Sequence, residues 1–247
     1  IITGASRGLG HAMAEQLLQP GNHLLCISRA TSNALARLAS ERGAHCEQWA
    51  MDLGAADAAA LRMQTWLLGQ PAFASATLIN NAGVLPPLAP LSELSAADIM
   101  QTLRVGLEAP MLLSAAFLRA TASWLMMKRI LNISSGNGRK PMASQASYSA
   151  AKAGMDHYTR CLALEETAKP RGARVCSLAP GVVDTDMQAH LREADEAAFS
   201  SKAVFLNYHA QGLLTSPHDA AQRVLAYMNR SDFGSNPVAD VRDVQAP

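Results

Sequence analysis

Three side chains in this sequence have the types and spacing needed to hand a proton to a carbonyl oxygen. Ser135 follows Asn132, Ile133 and Ser134 at the end of an apolar run, Tyr148 comes thirteen residues later, and Lys152 four after that. Residues four apart share a helix face, so helix over 145–168 makes Tyr148 and Lys152 neighbours. Reducing a carbonyl requires a proton for the developing alkoxide while hydride arrives at carbon. A free tyrosine has a pKa of about 10. An ammonium beside it favours the phenolate, so Lys152 is expected to draw Tyr148 towards neutrality. Ser135 can donate to the substrate oxygen and hold it beside Tyr148. Ser135, Tyr148 and Lys152 are thus the catalytic candidates, with Ser135 and Tyr148 also touching substrate. A Tyr-x-x-x-Lys pair alone recurs by chance on helix surfaces; its weight here comes from what precedes it in order.

What precedes it is a glycine-rich turn. Gly4, Ser6, Arg7, Gly8, Leu9 and Gly10 follow the first apolar run and open the first helical pattern. Glycines let a backbone approach a pyrophosphate, and a helix N-terminus supplies N–H donors and a positive dipole end. The spacing is Gly-x3-Gly-x-Gly rather than the commoner Gly-x-Gly-x-x-Gly. An NAD site usually carries a carboxylate at the end of the second strand, for the adenosine ribose hydroxyl. Ser28 and Arg29 stand there instead. Arg29 can meet a 2′-phosphate with a charge-assisted contact, and Arg7 adds a second cation. NADP(H) is the expected cofactor. Asp52 and Leu53 end the third strand, where an aspartate either accepts from the adenine amino group or caps its own loop.

Short apolar runs alternate with helix-length segments. Strands are expected over 1–3, 23–28, 45–52, 77–80, 129–134, 174–179 and 237–241. A helix over 8–19 stops before Pro20 and Gly21. Ser95 with Asp98 reads as a capping box opening one long helix towards Arg119, and Ser216, Pro217 and Asp219 read as another. The expected fold is α/β: a single-domain Rossmann, doubly wound parallel sheet of about seven strands with helices on both faces, covering 1–247. The segment 186–214 is expected to be a substrate-side insertion or lid. Only two apolar residues precede Thr3, so the first strand is expected to have further residues ahead of Ile1.

Composition narrows the class. With 49% hydrophobic and 17% charged residues the chain can bury a sizeable core. Its 21 basic and 20 acidic residues leave a net charge of +1, which gives no reason to expect nucleic acid as a partner. No run of about 18 apolar residues suggests a membrane span. The seven histidines and four cysteines show no metal spacing, so no metal is expected. The cysteines are read as buried reduced thiols of a cytoplasmic protein. Glu165 and Glu166 are read as a solvated face near a helix end.

Taken together, the Thr3 to Gly10 turn, Asn80, Asn81, Ala82 and Gly83 after the fourth strand, Ser135, Tyr148, Lys152, and Pro180, Gly181 and Thr185 give a chain that resembles the short-chain dehydrogenase/reductases over essentially its whole length. The resemblance implies a hydride transfer enzyme with pro-S stereochemistry. It implies that Asn81, Ala82 and Gly83 shape the cofactor pocket and that Pro180, Gly181, Val183, Thr185 and Met187 lie on the nicotinamide side. Tyr148 and Lys152 are implied to touch the cofactor as well. The C-terminal third is similar to sepiapterin reductases and bacterial benzil-reductase-like members, which implies a ketone or diketone substrate and makes Asp240 a candidate substrate anchor. The family commonly forms homodimers or homotetramers. One departure stands out: an asparagine that usually supports a water relay to the lysine is replaced by Gly106. That glycine supports the alternative of a non-catalytic NADP(H)-binding regulatory protein, while the intact Ser/Tyr/Lys set argues for catalysis. An epimerase or dehydratase on the same fold would act without net cofactor oxidation.

Overall fold

The central strands are nearly continuous apolar runs, which only a sheet covered on both faces can bury. The computed structural model, which describes residues 1–71 and 73–243, has that arrangement. In chain order it runs β1 (Ile2–Thr3), α1 (Gly8–Leu17), β2 (His23–Ser28), α2 (Asn33–Arg42), β3 (His45–Ala50), α3 (Ala56–Leu68) and β4 (Ser75–Asn80). It continues with α4 (Ala96–Leu103), α5 (Ala109–Ala120), β5 (Met127–Ile133), α6 (Ala146–Thr167), β6 (Arg174–Ala179), α7 (Asp186–Glu193), α8 (Lys202–Ala210), α9 (Pro217–Met228) and β7 (Val238–Asp240). The seven strands lie in the order β3-β2-β1-β4-β5-β6-β7, every neighbouring pair parallel. The order reverses between β1 and β4, and a crevice opens beyond their carboxyl ends. The end of the C-terminal tail, residues 244–247, lies outside the described residues.

Two apolar layers flank the sheet. On one face Ile2, Leu131 and Leu178 pack with Met13 of α1, Leu35 of α2 and Val224 of α9. On the other, Leu25, Leu78 and Ile130 pack with Met63 of α3 and Leu113 and Phe117 of α5. This is the expected doubly wound architecture.

Several boundaries differ from the sequence reading for identifiable reasons. α1 stops at Leu17, where the Asn22 side-chain amide takes the Leu17 carbonyl. Ser95 caps α4 as expected, accepting from the Asp98 N–H at 3.1 Å and donating to its carboxylate at 2.6 Å. The long helix it opens is interrupted by a π-helical turn over Arg104–Glu108. Pro110 follows that turn and has no N–H to donate, and Gly106 within it weakens α-helix by about 1 kcal/mol relative to alanine. Ser216 caps α9 in the expected way, 3.1 Å from the Asp219 N–H.

Two readings of polar side chains are corrected. Glu166 is not on a solvated face: it is buried, accepts from the Ala173 N–H at 2.8 Å and pairs with Lys169, tying the end of α6 to the start of β6. Of the four cysteines only Cys26 and Cys176 are buried; Cys46 is half-buried and Cys161 is exposed on α6. All four are free thiols. Among the described residues no helix is long and apolar enough to cross a membrane, and no group of three or more acidic, His or Cys side chains is arranged to hold a metal ion.

Candidate active site

The glycine turn is shaped by what it presses against. Gly4, the residue after β1, has φ +69°, in the left-handed region that a side chain disfavours. A Cβ on Gly10 would stand 2.2 Å from the Gly4 carbonyl oxygen and 2.3 Å from Asn81 Nδ2, so α1 can begin this close to the turn only without one. The segment after β4 clamps it. Thr3 Oγ1 accepts from the backbone N–H groups of Asn81 and Ala82, each at 3.0 Å, and the Asn81 side chain donates to the carbonyls of Thr3 and Gly4 at 2.9 and 3.3 Å. Thr3, at the start of the turn, thus joins the two walls of the crevice. α1 starts at Gly8 with no side-chain cap and no acidic residue in its first turn. Its first N–H groups therefore stay available to an anion, and the dipole adds positive potential. A pyrophosphate fits this cradle.

From the turn, a cleft of about 890 Å³ runs along the carboxyl ends of the strands. Every candidate drawn from the sequence lines it except Asp240: the Gly4 to Gly10 turn, Ser28 and Arg29, Asp52 and Leu53, the Asn81 to Gly83 segment, Ser135, Tyr148 and Lys152, and the Pro180 to Met187 stretch. Leu85, Ser134 and Gln188 line it too. Apolar Leu85 and the amide of Gln188 carry no motif, so nothing in the sequence marked them.

Ser135 projects from the end of β5, and Tyr148 and Lys152 from the first turns of α6. Lys152 is buried and donates to the Ile133 carbonyl at 2.7 Å. Burial pushes its pKa down to about 8, opposed by the carboxylate of Asp156. The expected pull of Tyr148 towards neutrality is corrected. Burial raises the phenol above its ordinary value, and a hydrogen bond with Ser135 offsets only part of the rise. The Lys152 ammonium lies 5.8 Å from the Tyr148 ring centroid and is engaged by the Ile133 carbonyl, so desolvation dominates. Tyr148 therefore keeps its proton at neutral pH.

Ser28 and Arg29 line the cleft at the end of β2. Ser28 is buried and donates to the Ala30 carbonyl at 2.9 Å. Arg29 is exposed and forms no hydrogen bond or ion pair among the described residues. Arg7 differs: its guanidinium donates to Asp186 at 2.7 Å, linking the turn to the start of α7 across the cleft mouth. Arg29 is thus the uncommitted cation and Arg7 a partnered one. Asp52 accepts from the Gly54 N–H at 2.9 Å, the loop-capping arrangement.

Asp240 does not stand where a substrate anchor would. It is buried at the end of β7, and its carboxylate accepts from the Arg242 backbone N–H at 2.9 Å and from the Arg242 guanidinium at 2.8 and 2.6 Å. Burial raises its pKa, but Arg242 and Arg139 outweigh that and hold it below the ordinary value. Its lone pairs are largely taken by this chain's own donors. Gly106 sits in the π turn, where an added Cβ would meet the Ala151 Cβ at 3.0 Å, so α6 packs against this site immediately before Lys152. The 186–214 segment contains α7 and α8. Leu191, Phe199 and Phe205 from this stretch form a small apolar cluster with Leu88, and Leu85 and Met142 pack against it.

Comparison with known proteins agrees with this geometry. Residues 1–196 match the family model for short chain dehydrogenases. The chain is 33% identical to a benzil reductase ((S)-benzoin forming) of Bacillus cereus, covering 94% of each. It is also 33% identical to the sepiapterin reductase of Meriones unguiculatus, covering 98% of this chain and 95% of that one. A metagenomic short-chain oxidoreductase solved in complex with NADP superposes with a TM-score of 0.73 at 27% identity, over 97% of this chain and 93% of the other. The chain is an oxidoreductase that belongs to the short-chain dehydrogenase family.

Proposed function

We propose that this chain is an NADPH-dependent carbonyl reductase for a ketone or diketone of the benzil or sepiapterin class, with Tyr148 as the general acid. The observation that carries this reading is the convergence of Ser135, Tyr148 and the buried Lys152 on a cleft that begins at an uncapped, glycine-lined helix N-terminus. The names of the similar benzil and sepiapterin reductases support the substrate class. Val84, Leu85 and Val105 line the cleft, which suits a largely apolar substrate.

NADPH, when bound, supplies the hydride. The Gly4 to Gly10 backbone and the α1 N-terminus would hold its pyrophosphate, Arg29 its 2′-phosphate and Lys152 its nicotinamide ribose. Ser135 donates to the substrate oxygen and fixes it beside the Tyr148 hydroxyl. Tyr148, kept protonated by burial, transfers its proton to that oxygen as the carbon is reduced. Lys152, anchored on Ile133, stabilises the phenolate that remains until it is reprotonated. Gly106 brings no amide to that reprotonation, so water alone serves it. The 186–214 segment acts as the substrate-side lid. The free thiols favour a cytoplasmic setting, and the family's habit favours a homodimer or homotetramer.

Purified protein assayed with NADPH and a panel including benzil and sepiapterin is expected to oxidise the cofactor; no oxidation above a Tyr148→Phe control would sink the proposal. Cofactor choice has its own test. Arg29→Ala removes a charge-assisted contact worth about 1.5–3 kcal/mol. It is expected to raise the KM for NADPH about 10- to 100-fold and leave that for NADH unchanged. Steady-state kinetics with both cofactors decides; equal changes would rule out a 2′-phosphate contact.

A further inference from the structure

Asp156 is buried on α6 one turn beyond Lys152, and nothing in the reaction just described uses it. Its Oδ1 accepts from two hydroxyls, Ser134 on one side and Ser177 of β6 on the other, each at 2.6 Å. Its Oδ2 faces the Arg139 guanidinium at 3.3 Å, and Arg139 also donates to the Ala239 carbonyl of β7 at 2.7 Å. Gly138 closes over the carboxylate: a Cβ there would stand 3.0 Å from Oδ2. A charge placed this deep persists only with such partners.

The position of Ser134 gives the cluster its meaning. Ser134 lies between Ile133, whose carbonyl holds Lys152, and Ser135, which lines the cleft. Its backbone N–H is bound to Leu178 of β6 and its side chain to Asp156. One carboxylate thus fixes the strand end that carries both contacts. We propose that Asp156 is a positioning residue: through Ser134 and Ser177 it locks residues 133–135, and with them the Ile133 carbonyl that holds Lys152, against α6.

The electrostatics agree with the geometry. Desolvation drives the Lys152 ammonium down to about 8, and Asp156 is the group that opposes it. The other titratable or charged groups around this centre are Tyr148 on α6, Arg139 from the loop after β5, Cys176 of β6, whose thiol burial pushes up to about 12, and Asp240 of β7, which acts on Arg139. The π turn brings only Gly106, against Ala151. Losing the Asp156 charge therefore leaves Lys152 with burial and no countercharge.

The chain has five lysines, so ε-13C-lysine NMR of the cofactor-free protein can follow Lys152 directly, assigned by its loss in Lys152→Arg. In Asp156→Asn, which keeps the shape and an acceptor oxygen, the Lys152 pKa is expected to fall by about one unit. The alkaline limb of the kcat profile is expected to move to lower pH by the same amount. An unchanged Lys152 pKa in folded Asp156→Asn overturns the proposal. If that variant does not fold, Arg139→Gln decides by the opposite sign. It frees Asp156 from its competing cation, so the Lys152 pKa is expected to rise, and no rise overturns the proposal. The kinetic arm rests on the reductase reading. The titration arm does not, so absence of turnover would count against the reductase assignment while leaving this inference to the NMR result.

Discussion

Replacing Tyr148 with Phe is expected to lower kcat for carbonyl reduction about 10³-fold, within the range attributed to a positioned general acid, with little change in the KM for NADPH. The variant removes one hydroxyl from a buried ring and leaves the fold intact, so the loss reads as lost proton transfer. Stopped-flow and steady-state assays beside a far-UV spectrum check it. The pH profile of the unmodified protein carries the same logic. Burial holds the Tyr148 phenol above its ordinary pKa, so the acid form persists through neutrality. Lys152, at about 8, loses its proton first as pH rises. The rate of reduction should therefore be flat through neutral pH and decline as pH passes about 8. A profile that instead rises with pH through that region would show that the deprotonated residues drive the reaction.

Gly10→Ala is the second large effect, and it acts through packing. The new Cβ would stand 2.2 Å from the Gly4 carbonyl oxygen, a backbone atom, and 2.3 Å from Asn81 Nδ2, which is pinned by its hydrogen bonds to the Thr3 and Gly4 carbonyls. Either α1 withdraws from the turn or the Thr3 and Asn81 clamp opens. Overpacking of this kind costs about 1–3 kcal/mol, which lowers Tm by about 2–4 °C per kcal/mol in a domain of this size. Because the displaced groups form the phosphate cradle, NADPH affinity is expected to fall more than 100-fold. Calorimetric melting and NADPH titration test both parts. A variant with normal affinity would mean that the turn does not hold the pyrophosphate.

The fold was legible because its signals are local. Near-continuous apolar strands, the Ser95 and Ser216 caps and the glycine turn each depend on neighbours a few residues away, and they led to the seven-stranded sheet. That Ser135, Tyr148, Lys152 and most of the other candidates meet in one cleft was legible for the same reason: Tyr148 and Lys152 share one helix face, and many of the others sit at strand ends. What was not legible depends on distant partners. Asp240 has a suggestive position, but only the folded chain reveals Arg242 wrapped around its carboxylate. Arg7 is a free cation on paper and is paired with Asp186, 179 residues away, in the structure. The sign of the Tyr148 shift followed from a pairwise rule in the sequence and from burial in the fold, and burial is the larger cause. Asp156 offered one overlooked clue: it stands four residues after Lys152, on the same helix face that already linked Tyr148 to Lys152.

This cleft is proposed to pass hydride from NADPH to a carbonyl carbon. The direct measurement is a single turnover with (4S)-deuterated NADPH and benzil, followed by mass spectrometry of the product. One deuterium on the carbinol carbon, absent with Tyr148→Phe over the same interval, is the predicted result. Cofactor bound without deuterium transfer to any member of a ketone and diketone panel would contradict it.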